Sequence, residues 1–422
     1  MVKLLPLMEK IKVALLLSGL ENFGDFHIIE SLKEFLPDDT VELKIFSIDI
    51  QNPAKTVGEV EEYHPHFTMD FNTKGIIWAE GDKEKVPLHA VLGTVHLTLV
   101  TEDPLSYASN LLNLRNTPNT VFLITDLRFG EFLGSLGFPN IFYFTPCVNF
   151  RLIPQKGEKD INLVFVGDAL EPSLVVENWK QTMDAPIRDF GIEVGEFCFR
   201  NPEITPLYAV EYLLSLMNPQ FQESFNKFRK ENPQAYFMWL LQVGIYTTAR
   251  RNWFILSFLE GTELTIVGRV EGDLPEGFAV ADISSMEERL NYINRAKLAL
   301  TAFPSFVPSG IGFTPLEILA CETALMINYR HTLPSFFKPG EEIIIYNPLD
   351  RMDIEEKLLF YLENEEERNL IVQKGFNAIK AKYSCTDRIQ FFKELIRDIF
   401  RQVTQQKQGG NESSSEGGEI SN

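Results

Sequence analysis

The chain is poor in positive charge, in cysteine and in histidine, and it lacks the common nucleotide-binding and hydrolase motifs. Of 422 residues, 39 are Lys or Arg against 59 Asp or Glu, a formal net charge of -20. So acidic a balance excludes the basic footprint of a nucleic-acid-binding protein and a polybasic membrane patch, leaving room only for local basic pockets. The four cysteines, Cys147, Cys198, Cys321 and Cys385, lie far apart with no C-x-x-C pair. Their spacing predicts reduced, mostly buried thiols rather than a disulfide framework or a zinc site. No apolar run approaches the ~20 residues that span a bilayer. The opening MVKLLPLMEKIKVALLLSGL has a short apolar stretch interrupted by Lys10 and Lys12, and reads as a leader and first strand rather than a signal peptide. A cytoplasmic location is expected.

The missing motifs narrow the chemistry further. No G-x-x-x-x-G-K-[ST] and no G-x-G-x-x-G after a strand occur, so neither the usual ATPase loop nor the usual NAD fingerprint is present. There is no G-x-S-x-G elbow and no D-x-D, the pair that would hold a divalent ion against a diphosphate. His64 and His66 make an H-x-H pair without a supporting cysteine or carboxylate cluster, and read as a surface loop. No metal is expected.

What is present is a rhythm of strands and helices. Lys12–Ser18 is a continuous apolar run, the mark of a strand buried on both faces, and Phe26–Phe35 then has helical spacing. Val41–Ile50, Gly75–Trp78, Val95–Val100, Thr120–Thr125 and Asn140–Phe144 are further strand candidates. A Pro-, Gly- and charge-rich segment, RLIPQKGEKD, reads as a linker. A second series follows at Ile161–Asp168, Glu263–Val267, Phe278–Ala281, Lys297–Ala302, Ala324–Asn328 and Glu342–Tyr346, with residues 171–260 largely helical. This alternation predicts an α/β fold of two doubly wound, Rossmann-like domains facing a cleft. The expected boundaries are 1–155, 156–385, a helix at 386–405 crossing back onto the first domain, and a disordered polar tail at 406–422.

The stretch PSGIGFTPLEILACE, Pro308 to Glu322, concentrates the functional signal. Gly310 and Gly312 let backbone N–H groups approach a ligand, and a helix start nearby favours anions. Thr314 suits an N-cap, Pro315 the first helical position, and Glu317 the third position of a capping box. Glu317 therefore has two readings: a cap for its own helix, or an acceptor for ribose hydroxyls.

The segment FPSFVPSGIGFTPLEILACETALMINYR resembles the C-terminal signature of GT-B glycosyltransferases of the group 1/family 4 type. More closely, it resembles the CgeB-type (spore maturation protein) branch, as do LPSFFKPGEEIIIYNPLDRMDIEEKLLFYLENEEERNLIVQKGFNAI downstream and FYFTPCVNFRLIPQKGEKDINLVFVGDA and ARRNWFILSFLEGTELTIVG upstream. The resemblance implies a GT-B fold and metal-independent transfer of a sugar from a nucleotide-sugar donor, the co-substrate, to an acceptor that the sequence does not identify.

It implies donor contacts through Gly310, Gly312, Thr314 and Glu317 in the second domain, with Gly167 and Arg269 nearby. The loop Gly19–Phe26 of the first domain would face the cleft on the acceptor side, with Asp25 and His27 as candidate bases. Three departures stand out. Ser309 occupies the position of the family's first glutamate, Gly167 is followed by Asp168 rather than an arginine with a lysine beyond it, and Glu322 stands where glycine is usual. Arg250, Arg269 and Arg330 are the alternatives for neutralising a diphosphate. The departures keep open a rival class, a catalytically degenerate relative that binds a glycan or a protein. A sugar-nucleotide epimerase on the same fold would need a richer set of acid and base groups.

Overall fold

Buried apolar runs become two parallel sheets in the computed structural model, which describes residues 10–415 except 50, 81–84 and 118. The first sheet takes β1 (Ile11–Leu17), β2 (Val41–Ser47) and β3 (Phe67–Phe71). A small antiparallel pair, β4 (Trp78–Glu80) and β5 (Lys85–Pro87), lies aside, and β6 (Val95–Val100), β7 (Thr120–Ile124) and β8 (Ile141–Tyr143) complete the sheet. Its order is β2-β1-β3-β6-β7-β8, with Val13 opposite Leu43 on one side and Phe67 on the other.

The second sheet starts with β9 (Ile161–Val166), followed by short β10 (Ala169–Leu170). Then come β11 (Leu264–Val267), short β12 (Val270–Glu271), β13 (Phe278–Val280), β14 (Ala296–Thr301), β15 (Ala324–Asn328) and β16 (Ile344–Tyr346). Its order is β13-β11-β9-β14-β15-β16, with every neighbour parallel.

The order reverses between β1 and β3 in one sheet and between β9 and β14 in the other. In open α/β sheets ligands bind outside the carboxyl ends of strands at such reversals. The architecture is thus α/β with two Rossmann-like units, the GT-B arrangement. All six expected strands of the second series are present. In the first series the expected Gly75–Trp78 strand is instead a turn leading into β4, and the sheet strand is Phe67–Phe71. That strand is buried throughout yet carries Thr68 and Asp70, whose partner is His96 on β6 at 3.2 Å from Asp70. Two buried polar groups hid it from a reading based on apolar runs.

Helix faces close the first core. Phe23–Phe35 buries Ile28, Ile29 and Leu32 against the sheet, and Cys385–Ser415 returns from the far end of the chain to bury Ile389, Phe392 and Ile396 in the same cluster. Each such side chain contributes about 1.5–3 kcal/mol. The last helix runs on through Ser415 and so takes in the first part of the expected disordered tail at 406–422, while side chains beyond 405 and residues 416–422 lie outside the described residues.

Five helices from Pro172 to Ser257 are inserted between β10 and β11. They enclose an aromatic core of their own, with Phe190, Phe225 and Trp239 in mutual ring contact. Phe237 of this insertion meets Phe132 of the first domain edge-on at 5.3 Å.

The chain passes between the sheets after β8 and returns before the last helix. There the expectation of four reduced thiols is corrected: Cys147 and Cys385 are disulfide-bonded across 238 residues. The two passages run side by side, with Val148 N donating to Tyr383 O at 2.8 Å and Cys385 N to Val148 O at 3.1 Å. Cys198 and Cys321 are free and buried. Among the described residues no helix is long and apolar enough to cross a membrane.

Candidate active site

A cleft of about 940 Å³ lies where the carboxyl ends of the two sheets meet. The first domain contributes Asn22–Asp25, Thr101 and Glu102, and the second contributes Gly167, Asp168, Arg269, Arg289 and the segment Ile311–Pro315 among others. At Gly24 the domains are in close contact: a Cβ there would stand 2.5 Å from the Phe313 ring.

Asp25 stands at the start of Phe23–Phe35, where Asn22 N donates to its Oδ2 at 2.9 Å and Thr101 Oγ1 donates to its Oδ1 at 2.6 Å. It is fully buried from bulk water yet lines the cleft. Burial pushes its carboxyl up to about 7, against hydrogen bonds from Thr101 and Asn22 that favour the charged form. A carboxyl poised near neutrality can take a proton from a substrate hydroxyl.

His27, two residues on, is behind the cleft wall rather than among the lining residues. Its Nδ1 accepts from Asn149 N at 3.2 Å, so the ring proton sits on Nε2, which points at Glu317 Oε1 from 3.6 Å. That Nε2 is buried without a hydrogen-bond partner.

Glu317 belongs to the helix Thr314–Ala320, and here the capping expectation is corrected. The N-cap is Phe313, Thr314 is already helical, and Glu317 N donates to Phe313 O. Glu317 thus lies one position too far into the helix to close a capping box. Its carboxylate accepts instead from Arg289 Nε at 3.1 Å, and Arg289 Nη2 reaches Thr314 Oγ1 at 3.1 Å. Burial would raise the Glu317 carboxyl, but the Arg289 guanidinium and His27 outweigh it and hold it at about 2.

The glycine loop binds an anion, and that anion is protein. Ser309 N donates to Asp126 Oδ2 at 2.8 Å, Ser309 Oγ to Oδ1, and Gly310 N also to Oδ2. Asp126 follows β7 in the first domain and caps the helix Leu127–Ser135 through Arg128 N. Arg330 holds the loop from beneath through the carbonyls of Val307 and Gly310, its guanidinium 4.0 Å from the Phe303 ring centre. Burial lowers Arg330 to about 9. Gly310 is therefore a loop-to-domain contact, while Gly312, in the left-handed region at φ +66°, lines the cleft.

The remaining expected residues scatter. Gly167 lines the cleft, and its carbonyl would lie 2.2 Å from a Cβ on Gly268. Asp168 and Arg269 pair at 2.8 Å on the rim, which raises the arginine. Arg250 is turned to Glu196 at 3.0 Å and stacks on Phe199, away from the cleft. Gly19 is exposed and is not among the lining residues, so it does not face Gly310 across the cleft. Lys12 N donates to His66 Nδ1 at 2.9 Å, tying the second histidine of the H-x-H pair to β1. Among the described residues no group of three or more His, Cys, Asp or Glu is placed to hold a metal. Asp126 and Arg289 escaped the sequence reading: Asp126 shows a helix-start signal in TDLRFG, but nothing local reveals the partner of either.

Against known proteins, residues 250–394 match the family model described as glycosyl transferase-like. An uncharacterized protein of Aquifex aeolicus (strain VF5) is 37% identical over 400 residues, covering 94% of this chain and 99% of that protein. The chain belongs to the Aquifex protein's family and carries a GT-B fold. In structure, an alpha-glucosyltransferase in complex with UDP-glucose and DNA containing an abasic site aligns with a TM-score of 0.53 at 10% identity, over 92% of this chain and 100% of that one. Anabaena HepE in complex with UDP and glucose aligns with a TM-score of 0.48 at 12% identity, over 92% of this chain and 100% of that one.

Proposed function

We propose that the protein is a metal-independent glycosyltransferase of the CgeB-type branch. It takes a sugar from a nucleotide-sugar donor seated on the second domain and delivers it to an acceptor hydroxyl entering from the first. The observation that carries this is Asp25: a carboxyl raised to about 7, on the acceptor wall of a cleft between two Rossmann-like units. The match of residues 250–394 to a glycosyl transferase-like family supports it, as does a structural relative that holds UDP-glucose. The acceptor oxygen gives its proton to Asp25 as it attacks the anomeric carbon. The bond from that carbon to the diphosphate oxygen breaks, and the diphosphate leaves with the electron pair.

A panel of nucleoside diphosphates and their sugars tests the binding. A ligand at 100 times its Kd adds about 2.7 kcal/mol of stability and raises Tm. Asp25→Asn should bind donor as the parent does, while transfer falls about 10²–10⁴-fold and the rising limb of the pH profile near 7 disappears. An Asn variant as active as the parent would remove Asp25 from the chemistry, and transfer abolished by EDTA and restored by manganese would remove the metal-independent reading.

A second reading, a degenerate GT-B relative that binds a glycan or protein, draws on the occupation of the Ser309 and Gly310 amides by Asp126. Absence of any nucleotide binding by the parent would favour it.

A further inference from the structure

We propose that Arg289 is the residue that grips the diphosphate of the donor, and that Glu317 is its positioning residue rather than a ribose ligand. This rests on the glycosyltransferase reading of the cleft, and four observations lead to it.

First, of the described residues lining the cleft, Arg269 and Arg289 are the cations, against Asp25, Glu102, Asp168, Asp282 and Glu317. A dianionic group can settle in so acidic a space only beside one of those two guanidiniums. Second, Arg269 spends both Nε, at 3.3 Å, and Nη2, at 2.8 Å, on Asp168 and is 72% exposed, so its charge is screened by water. Third, Arg289 spends Nε on Glu317 and one Nη2 proton on Thr314, while its Nη1 has no protein partner among the described hydrogen bonds. Its side chain is only 12% exposed and lines the cleft beside Gly312 and Thr314. A guanidinium fixed along one edge and free along the other is prepared for two parallel bonds to phosphate oxygens.

Fourth, Glu317 is itself committed. It is 1% exposed, with one oxygen on Arg289 and the other facing His27 of the opposite domain. The His27–Glu317–Arg289 line therefore runs from the acceptor domain to the donor pocket, and Glu317 sets the guanidinium plane. This cation comes from the helix Met286–Arg295, which explains how the site dispenses with an arginine after Gly167.

The experiment measures binding of a nucleoside diphosphate, its parent nucleoside and inorganic pyrophosphate by calorimetry. Arg289→Gln should weaken the diphosphate and pyrophosphate about 10–100-fold and leave the nucleoside unchanged. Arg289→Lys should recover part of that loss, because it restores the charge without the fork. Glu317→Gln should follow the same pattern more weakly, whereas a ribose ligand would weaken the nucleoside as well. The double variant Arg289→Gln/Glu317→Gln, which buries no lone charge, guards against misfolding, and Tm is followed throughout. Diphosphate affinity unchanged in Arg289→Gln overturns the proposal and leaves the transferase reading intact. Pyrophosphate binding that depends on Arg289, without nucleotide binding, upholds the anion site and overturns the transferase reading. A parent that binds neither overturns both.

Discussion

Cys147 and Cys385 join the two chain passages that connect the domains. Their Cα atoms stand 4.9 Å apart and both side chains sit in the core of the first domain. The start of the last helix is thereby bound covalently to the passage that leaves the first sheet after β8. A disulfide that closes a long loop removes unfolded-state freedom, typically worth about 2–4 kcal/mol. Reduction, or the double variant Cys147→Ser/Cys385→Ser, should lower the Tm of the first domain by roughly 4–10 °C. Cys198→Ser and Cys321→Ser remove no cross-link and should not reproduce the sensitivity to reductant. A melting curve indifferent to reductant would show the thiols unpaired.

Asp126 ties the glycine loop to the first domain through three donors on Ser309 and Gly310. Asp126→Asn keeps the shape but removes the charge. Hydrogen bonds to charged groups contribute about 1.5–3 kcal/mol each, so the loop amides should lose most of their protection. Hydrogen exchange at Ser309 and Gly310 should quicken at least tenfold, while the amides of β14 stay protected. Unchanged exchange would mean that Arg330 alone orders the loop.

These contacts mark where sequence reading ends. The strands of the second sheet were legible because parallel strands buried on both faces are continuous apolar runs. β3 was not, because Thr68 and Asp70 interrupt its run while satisfying each other's neighbourhood through His96. Asp25 was legible as a residue of the cleft because it follows a buried first strand, and the structure does place it in the cleft lining. Asp126 with Ser309, 183 residues apart, and Cys147 with Cys385, 238 apart, meet only through topology. One of the two readings of Glu317 was a cap, because TPLE has the right spacing. The helix begins one residue earlier than that spacing suggests, with Phe313 as its N-cap, and its glutamate is drawn to Arg289 instead.

The Asp25 carboxyl makes stability depend on pH in an unusual direction. Its folded value, about 7, lies above the ordinary 3.8, so the native state holds a proton that the unfolded chain has lost. Stability from this group is therefore full below about 3.8, falls as pH rises through the window to about 7, and is level above it. The difference is on the order of 4 kcal/mol. Asp25→Asn should flatten that decline and raise Tm at pH 8 relative to the parent, even though it removes the proposed base. A variant whose Tm falls alongside the parent between pH 4 and 7 would place the titration elsewhere.

Glu317 behaves in the opposite sense, and the two groups line one cleft. Its folded value, about 2, lies below the ordinary 4.5, so the unfolded chain takes up protons first as the solution is acidified. The stability it contributes is complete above about 4.5 and is lost as pH falls through 2. Glu317→Gln leaves Arg289 facing an amide and His27 facing no charge, and breaking a buried pair in this way costs about 3–5 kcal/mol. At pH 7 the variant should melt well below the parent, and the gap should close as both are acidified toward pH 2. Arg289→Gln strands the carboxylate, whose value should then climb as burial is no longer opposed, so its Tm should recover on acidification below pH 6. If Glu317→Gln instead melts with the parent at neutral pH and keeps the parent's acid limb, the ion pair contributes nothing to folding, and Arg289 is not held in place by Glu317.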